Sequence, residues 1–272
     1  AAKLCPEAIL LPGDFDRYRA YSRRFKAVII DIAPVMQDRG IDEVYIDFTE
    51  VPGGQREGGR VLARLIQKSI LEATGLTCSI GVAPNKLLAK MASEFNKPNG
   101  ISVVHEDDLQ RLIWPLPCRK INGIGPKADA KLKAQGIETI GQLAARDRFE
   151  LMETFRRAYG HWLHEAAWGR DDRPVETETE PVGISRETTF ERDLHAVQDK
   201  TELGLVFTRL CEQVAADLKR KGYVGRTVGI KLRYDNFQSV TRDISVGEYT
   251  SDAQRIRSLA GQCLKRVALQ RR

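Results

Sequence analysis

The sequence predicts an α+β fold in which helices pack on one face of a small sheet, followed by a small all-helical region and a second α/β module. Helical spacing alternates with short β-rich runs in residues 1–104, and strand signals vanish in 105–171. A long helix and two β-rich runs follow in 183–272. Prolines and alternating Thr and Glu at 172–182 predict an exposed linker between them.

The first region combines predicted strands with three predicted helices. Short apolar or β-branched runs mark strands at 8–11, 44–48, 77–82 and 101–104. Apolar residues at helical spacing predict helices over 18–32 and from 61 to near 75, and Asn85 is the candidate N-cap of a third helix. The residues of this third helix that are expected to face inward are Leu88, Met91, Ala92 and Phe95.

The last region is predicted to be a two-layer module. Its expected elements are a strand near 185–190, a helix over 201–221, strands over 226–234 and 238–245, and a helix over 251–266. Asp235 and Asn236 form a hairpin signal between the second and third strands.

Length and composition exclude several classes of protein. The chain has 272 residues, enough for two or three domains, and no run of 18 apolar residues. Its amino terminus lacks the pattern of a signal peptide, so a cytoplasmic location is expected. The five cysteines are far apart and form no Cys-x-x-Cys pair, which argues against a zinc or redox site.

The net charge of +6 is concentrated in one part of the chain. Residues 181–272 contain 17 basic and 11 acidic side chains, whereas the first 180 residues contain 26 of each. A mixed, solvated surface is the ordinary explanation of charge. The concentration of the whole excess in one module indicates instead that this module binds a polyanion such as nucleic acid.

Two adjacent acids, Asp42 and Glu43, stand immediately before a predicted strand. Neighbouring carboxylates repel one another unless a cation lies between them, and such hard oxygen ligands suit Mg²⁺. In phosphoryl transfer, two metal ions can stabilise both the attacking and the leaving oxygen. Acidic pairs are nevertheless common on protein surfaces, so the pair needs support from its context.

Three segments supply that context: Gly40–Asp47, Ser79–Lys90 and Asn96–Gly100. In order and spacing they resemble motifs of the Y-family of low-fidelity translesion DNA polymerases, and the resemblance spans essentially the whole chain. It implies a partial palm at 1–104, with the end of the fingers at 1–7. It also implies a helical thumb at 105–171 and a DNA-binding little finger at 183–272, without its last strand.

The resemblance also implies roles for residues of the first region. Asp42 and Glu43 would be catalytic ligands of two Mg²⁺ ions, and Lys97 would neutralise the charge of a deoxynucleoside triphosphate. Tyr18 and Arg24, on the preceding helix, are further candidate nucleotide contacts, with a core or surface role as the alternative. Asp47 is expected to be structural, because side chains four residues apart on a strand are separated by about 13 Å. Gly40 departs from the family, which generally has Ser there.

A helix-hairpin-helix is predicted around Gly123, Gly125 and Lys127. Glycines allow the hairpin backbone to approach a phosphate, and the amides at the start of the next helix can bind it. An ordinary helix–helix turn is the alternative meaning of Gly-x-Gly. Lys127 at the helix start favours sequence-independent binding to a DNA strand.

The last module carries a second set of candidate DNA contacts. On its predicted hairpin, Lys231 and Arg233 alternate with apolar residues, so they should share one face of the sheet. An ordinary polar sheet face is the alternative, which the charge excess disfavours. The full set of candidates is Arg226, Lys231, Arg233, Ser239, Thr241 and Arg242.

Compared with the family, both ends of this sequence differ from the expected pattern. Residues 1–6 resemble the end of the fingers, and Asp14, Asp16 and Asp31 lie in the wrong local pattern to be the family's first metal-binding aspartate. The sequence also stops before the expected closing strand and clamp-binding tail. These 272 residues by themselves are therefore expected not to polymerise DNA.

The sequence leaves three functions open. The first is an error-prone polymerase, a monomer whose partners are primed template DNA, a deoxynucleoside triphosphate and a sliding clamp. The second is a non-catalytic DNA-binding scaffold that retains the hairpin motif and the basic module. The third, a metal nuclease that uses Asp42 and Glu43, lacks a nearby His or Lys constellation.

Overall fold

A computed structural model describes residues 3–178 and 180–267 and divides the chain into two units, Ala1–Thr179 and Glu180–Arg272. The division falls inside the segment predicted as a linker. Both units combine helices with small sheets, so the α+β prediction is confirmed. No helix in the described part of the chain is long and apolar enough to cross a membrane.

The first unit begins with a helical pair over a short hairpin. Helix α1 (Phe15–Ile32) starts at Asp14, whose carboxylate accepts the Arg17 amide at 3.0 Å, and α2 (Arg60–Thr74) ends at Gly75, which has a φ of +72°. Strands β1 (Met36–Asp38) and β2 (Val44–Ile46) pair antiparallel. Strand β1 is not among the strands predicted from the sequence. The predicted strand at 8–11 is wrong, because these residues form no ladder and Ile9, Leu10 and Leu11 are exposed.

A parallel pair of strands follows, connected by a capped helix. Strands β3 (Ile80–Val82) and β4 (Ile101–Val103) are shorter than predicted, and α3 (Lys86–Ala92) lies between them in the chain. Asn85 caps α3 as predicted, with its side chain accepting the Leu88 amide at 3.0 Å. Of the residues expected to face inward, Leu88, Met91 and Ala92 are buried. Phe95 lies beyond the helix and is exposed.

Short helices fill the rest of this unit, as predicted for 105–171. They are the 3₁₀ turns Glu106–Asp108 and Cys118–Lys120, the π-helical turn Leu109–Ile113, and helices α4 (Pro126–Lys133), α5 (Ile140–Ala144), α6 (Arg148–Phe155) and α7 (Arg157–Ala167). Their core includes Leu132 and Leu163 and continues into Leu87 and Met91 of α3. This core therefore contains residues from both sides of the boundary predicted after residue 104.

The chain after α7 is attached to α3 before it leaves the first unit. The Leu87 amide donates to the Asp171 carboxylate at 3.0 Å, and the Lys86 ammonium donates to the Pro174 carbonyl at 2.6 Å. Burial alone would raise the pKa of Asp171, but hydrogen bonds from Arg173 outweigh it and the pKa is lowered. The first residues of the predicted linker are thus held in place by α3.

The second unit packs two helices on one face of a hairpin. Its elements are α8 (Lys200–Lys221), β5 (Gly225–Arg233), β6 (Ser239–Thr250) and α9 (Ala253–Lys265). The two strands pair antiparallel, and the core includes Val228, Ile230, Ala215 and Ile256. The helices and the hairpin match the prediction.

The strand predicted at 185–190 is wrong, because this segment joins no ladder with any residue that the structure describes. It is held to α8 by charge instead: Arg186 donates to Asp217 at 2.6 Å, and Arg220 donates to the other oxygen of Asp217 at 2.7 Å. These two hydrogen bonds, that of Arg186 first, hold the pKa of Asp217 well below its usual range.

We predict that Asp217→Asn destabilises the second unit in a pH-dependent way. The ion pairs contribute fully above the unfolded-state pKa of about 3.9, and this contribution is lost as the pH falls toward the lower native pKa. Urea unfolding should therefore show a lower midpoint for the variant at pH 7 and a shrinking difference from wild type toward about pH 3. Glu212→Gln, an exposed site on α8, is the control. A difference that is independent of pH would contradict the prediction.

Candidate functional site

The two candidate acids lie at the turn of the first hairpin. Asp38 pairs with Val44 at the end of the ladder, and the Arg39 amide donates to the Glu43 carbonyl at 3.0 Å. Asp42 and Glu43 are both exposed. The hairpin therefore presents two adjacent carboxylates at its tip.

Gly40 determines the shape of this turn. Its φ of +151° is rarely adopted by residues with a side chain, and nothing lies within 4 Å of the position that a Cβ would take. Its carbonyl accepts Lys26 of α1 at 2.6 Å, and its amide donates to Asp38 at 3.0 Å. The backbone conformation at position 40 suits glycine. The departure from the family's Ser at this position therefore fits the geometry of this turn.

Lys90 connects the acidic pair to α3. Its ammonium donates to Glu43 Oε1 at 2.5 Å and lies 3.7 Å from Glu94. Partial burial by itself would lower the pKa of Lys90, but the hydrogen bond and charge of Glu43, with the charge of Glu94, outweigh it and raise the pKa. Lys90 therefore stays protonated and neutralises one of the two adjacent acids.

The loop lysine belongs to the same network of charges. Lys97 pairs with Glu94 at 2.6 Å, and this hydrogen bond is the main reason why the pKa of Glu94 is lowered. Glu43, Lys90, Glu94 and Lys97 thus form a continuous chain of alternating charge. The structure brings the hairpin acid and the loop lysine to one surface, although the sequence separates them by more than fifty residues.

The capacity of this surface to hold a metal ion rests on Asp42 and Glu43. Among the described residues, the Asp42 side chain makes no hydrogen bond or ion pair, and Lys90 contacts Oε1 of Glu43. No three His, Cys, Asp or Glu side chains within residues 3–178 and 180–267 are grouped closely enough to hold a metal. The two carboxylates therefore fit part of a hard-cation site, which needs further oxygen ligands to complete it.

The two other candidate nucleotide contacts do not join this network. The Tyr18 ring lies 5.7 Å from Phe15 in an edge contact, and Arg24 donates to the Ala73 carbonyl at 2.5 Å. Arg24 and Lys26 are two positions apart on α1, so their side chains point in directions that differ by about 200°. The residue of α1 that reaches the acidic turn is accordingly Lys26, which pairs with Asp38 at 2.8 Å. The sequence analysis did not single it out.

A cationic cleft of about 230 Å³ lies beside the network. Lys86 donates to the Gln37 side chain at 2.8 Å and lies 5.7 Å from the centre of the Tyr45 ring, but no described carboxylate pairs with it. Arg39 also has no described ion pair. The lining residues are Arg39, Tyr45, Lys86, Leu87, Lys90, Asn122, Gly123 and Arg173. This cluster is not predicted from the sequence, because its four cations come from three separate segments of the chain.

One wall of the cleft is the predicted hairpin motif. Gly123 has a φ of +118°, and a Cβ there would lie 2.6 Å from the Trp162 ring. Tyr159 donates to the Gly123 carbonyl at 2.9 Å. Gly125 is the N-cap of α4 without a side-chain hydrogen bond, and Lys127 is exposed in the first turn. The backbone at the start of α4 is therefore open to a ligand.

The second unit places most of its predicted contacts on one surface. Lys231 faces Thr241 across the hairpin and Arg233 faces Ser239, and all four are exposed. We call these four residues the cationic face. Lys231 lies 3.8 Å from Glu187, and the carboxylate of Glu187 is itself exposed. The strand alternation that the sequence predicted therefore separates this face from the core.

Two other predicted contacts in this unit lie elsewhere. Arg242 pairs with Ile230 on the opposite face of the hairpin, where it donates to the carbonyls of Arg266 and Thr241. The expectation that Arg242 adds a donor beside the cationic face is wrong, because the strand period of two turns it away. Arg226 is exposed near an irregularity of the ladder and lies over the Tyr249 ring at 5.8 Å.

The fold is that of Y-family polymerases. A Y-family DNA polymerase chimera of Dbh and Dpo4 matches 97% of this chain and 76% of its own, with a TM-score of 0.83 and 24% identity. DinB from Sulfolobus solfataricus matches the same share of this chain and 75% of its own, with a TM-score of 0.62 and 23% identity. At these identities the structures establish the fold.

Sequence comparison establishes the family. The impB/mucB/samB family matches residues 1–94, its helix-hairpin-helix motif matches 106–137, and its C-terminal domain matches 181–272. DNA polymerase IV of Alkalilimnicola ehrlichii is 37% identical over 95% of this chain and 71% of its own length. DNA polymerase IV of Methanoculleus marisnigri is 38% identical over 97% and 72%. The chain belongs to the impB/mucB/samB family, the Y-family of DNA polymerases.

We predict that Gly123→Ala destabilises the first unit and that Gly125→Ser does not. Alanine at 123 combines an unfavourable φ with a clash against Trp162, at a cost of about 1–3 kcal/mol. Gly125 has a φ of −80° and open space around it, and Ser is a favoured N-cap residue. Thermal unfolding should show a lower Tm for Gly123→Ala only. Equal melting temperatures for both variants would contradict the role assigned to Trp162.

Proposed function

We propose that this chain takes part in template-directed DNA synthesis past damaged bases, as a low-fidelity DNA-directed DNA polymerase. The main support is the charge network that joins Glu43, beside Asp42, to Lys97 in a member of the Y-family. Nucleotidyl transfer needs carboxylates that bind cations next to a positive charge that binds a triphosphate, and the network combines the two.

In this proposal, Asp42 and Glu43 contribute ligands to two Mg²⁺ ions. When bound, such ions stabilise the attacking and leaving oxygens of the transfer. Lys97 binds the triphosphate, and its pairing with Glu94 holds the loop side chain near the site until a nucleotide arrives. Lys90 keeps the Glu43 carboxylate oriented toward α3. The protein's part in catalysis is thus mainly positioning and charge neutralisation. Tyr18 and Arg24 remain candidate nucleotide contacts from the sequence.

The position of the cationic cleft is consistent with one DNA strand lying along it. It extends from Gly123 of the hairpin motif to Lys90, the partner of Glu43. We propose that backbone phosphates follow this path, with the open amides at the start of α4 and Lys127 at one end and the acidic pair at the other. Arg39 and Lys86 have no carboxylate partner among the described residues. They would contact the phosphates that lie between these two ends of the path.

The cationic face of the second unit is proposed as a further DNA contact. Lys231, Arg233, Ser239 and Thr241 offer two charges and two hydroxyls on an exposed sheet surface. Such contacts bind phosphates without reading bases, which suits a polymerase that moves along any template. One solved relative is a ternary complex of Dbh with its substrates, which supports DNA and a nucleotide as partners. A sliding clamp as a partner, a monomeric state and a cytoplasmic location are predictions of the sequence.

We predict that Asp42→Ala, in the full-length protein, reduces primer extension at least about a hundredfold and leaves DNA affinity within about twofold. The acid would bind metal ions, whereas DNA is held by other residues. Asp47→Asn is the matched control, because Asp47 accepts hydrogen bonds from Thr49 and has a structural role. Unchanged extension by Asp42→Ala would refute the catalytic assignment. Absence of extension by the wild type, with intact DNA binding, would favour the non-catalytic scaffold.

We predict that the double substitution Lys231→Ala and Arg233→Ala flattens the salt dependence of DNA binding. Loss of two phosphate contacts should reduce the slope of log K against log salt concentration by about 2. Fluorescence anisotropy at several salt concentrations measures this slope. Arg242→Ala removes a cation from the opposite face and should change the slope little. An unaltered slope for the double variant would show that its side chains do not meet phosphates.

A further inference from the structure

The turn between β5 and β6 contains a residue that its own fold disfavours. The Phe237 amide donates to the Tyr234 carbonyl at 3.0 Å, and the Tyr234 amide donates to the Gln238 carbonyl at 2.9 Å. In this geometry Phe237 has a φ of +64°. Hairpins with such a left-handed position usually have glycine there, because a side chain makes the conformation unfavourable.

Phe237 has few contacts within the protein that would offset this unfavourable backbone conformation. It is 79% exposed, the second most exposed large hydrophobic residue of the second unit among those described. No described aromatic ring or cation stacks on it. The turn is held instead by polar contacts, since Asp235 accepts the Asn236 amide at 2.8 Å and Asn236 accepts the Gln238 amide at 3.0 Å. A strained and exposed aromatic residue at a hairpin tip therefore indicates a contact outside the unit.

The surroundings of the tip define the chemistry of that contact. The last pair of the ladder before the turn is Arg233 with Ser239, which belongs to the cationic face. An aromatic ring directly beyond a surface that attracts phosphates is the combination that proteins use to stack on the bases of a nucleic acid strand. The excess of positive charge in residues 181–272 makes a polyanion the complementary partner.

We infer that Phe237 stacks on an exposed base of a DNA strand whose phosphates lie on the cationic face. This inference rests on the proposed DNA binding by the second unit and adds a base-stacking anchor to it. Stacking depends on the π-face common to all bases, so the contact adds affinity without sequence preference. It also accounts for an aromatic residue at a position where glycine would fold more readily.

The test uses Phe237→Gly and Phe237→Asn in the 272-residue chain. Both residues accept a left-handed conformation, so the melting temperature should be unchanged or higher. Affinity for a fluorescent primer–template with a single-stranded overhang should fall about tenfold. The salt slope should stay that of wild type, because no phosphate contact is removed. Phe237→Tyr keeps an aromatic ring and should retain wild-type affinity.

Leu205→Ala is the matched control, since Leu205 is an exposed apolar residue of the same unit on α8. It should change neither affinity nor slope. Wild-type affinity in Phe237→Gly and Phe237→Asn would overturn the inference and leave a protein partner as the reason for the exposed ring. Lower melting temperatures in both variants would also overturn it, because Phe237 would then stabilise the turn. Failure of DNA binding by the second unit would instead show in the Lys231 and Arg233 double variant, as an unchanged salt slope.

Discussion

The alternating charges of Glu43, Lys90, Glu94 and Lys97 are the interaction on which the candidate active site depends. Two neighbouring carboxylates at a hairpin tip repel one another, and a flexible lysine on a loop has no fixed position of its own. Lys90 is partly buried, so its pairing with Glu43 is screened less by water than a fully exposed pair would be. The network thereby holds Glu43 and Lys97 on one surface.

The network in turn depends on the position of α3. This short helix carries Lys90 on its outer side, while Leu87 and Met91 belong to the core of the helical region. Its first turn holds the chain after α7 through the Leu87 amide and the Lys86 ammonium. The acidic hairpin, the cationic cleft and the hairpin motif are therefore aligned by one helix of two turns. The hydrophobic core shared by α3 and the helical region is the structural basis of this alignment.

The second unit relies on the two faces of a β-hairpin. Val228 and Ile230 pack against α8 and α9, and the alternate residues form the cationic face. Asp217 of α8 pairs with Arg186, and this ion pair holds residues 185–190 to α8 in place of the strand pairing predicted there. The inner face thus stabilises the unit, and the outer face is exposed.

The sequence by itself determined the fold class, most helices, the second hairpin and the family, because these depend on periodicity, caps and motifs within short segments. It also predicted Asp42, Glu43, Lys97 and the glycines of the hairpin motif as candidate site residues. Only the tertiary structure decided which cations lie near them: Lys90 pairs with Glu43, Lys26 pairs with Asp38 beside the acidic turn, and Lys86 and Arg173 line the cleft with Gly123. These cations come from distant segments, and no local pattern links them to the acids. Strand pairing also turned Arg242 away from the cationic face and left residues 185–190 without a ladder. Local patterns specify which way a side chain faces within its own element, whereas the partners across elements are set by packing of the whole unit.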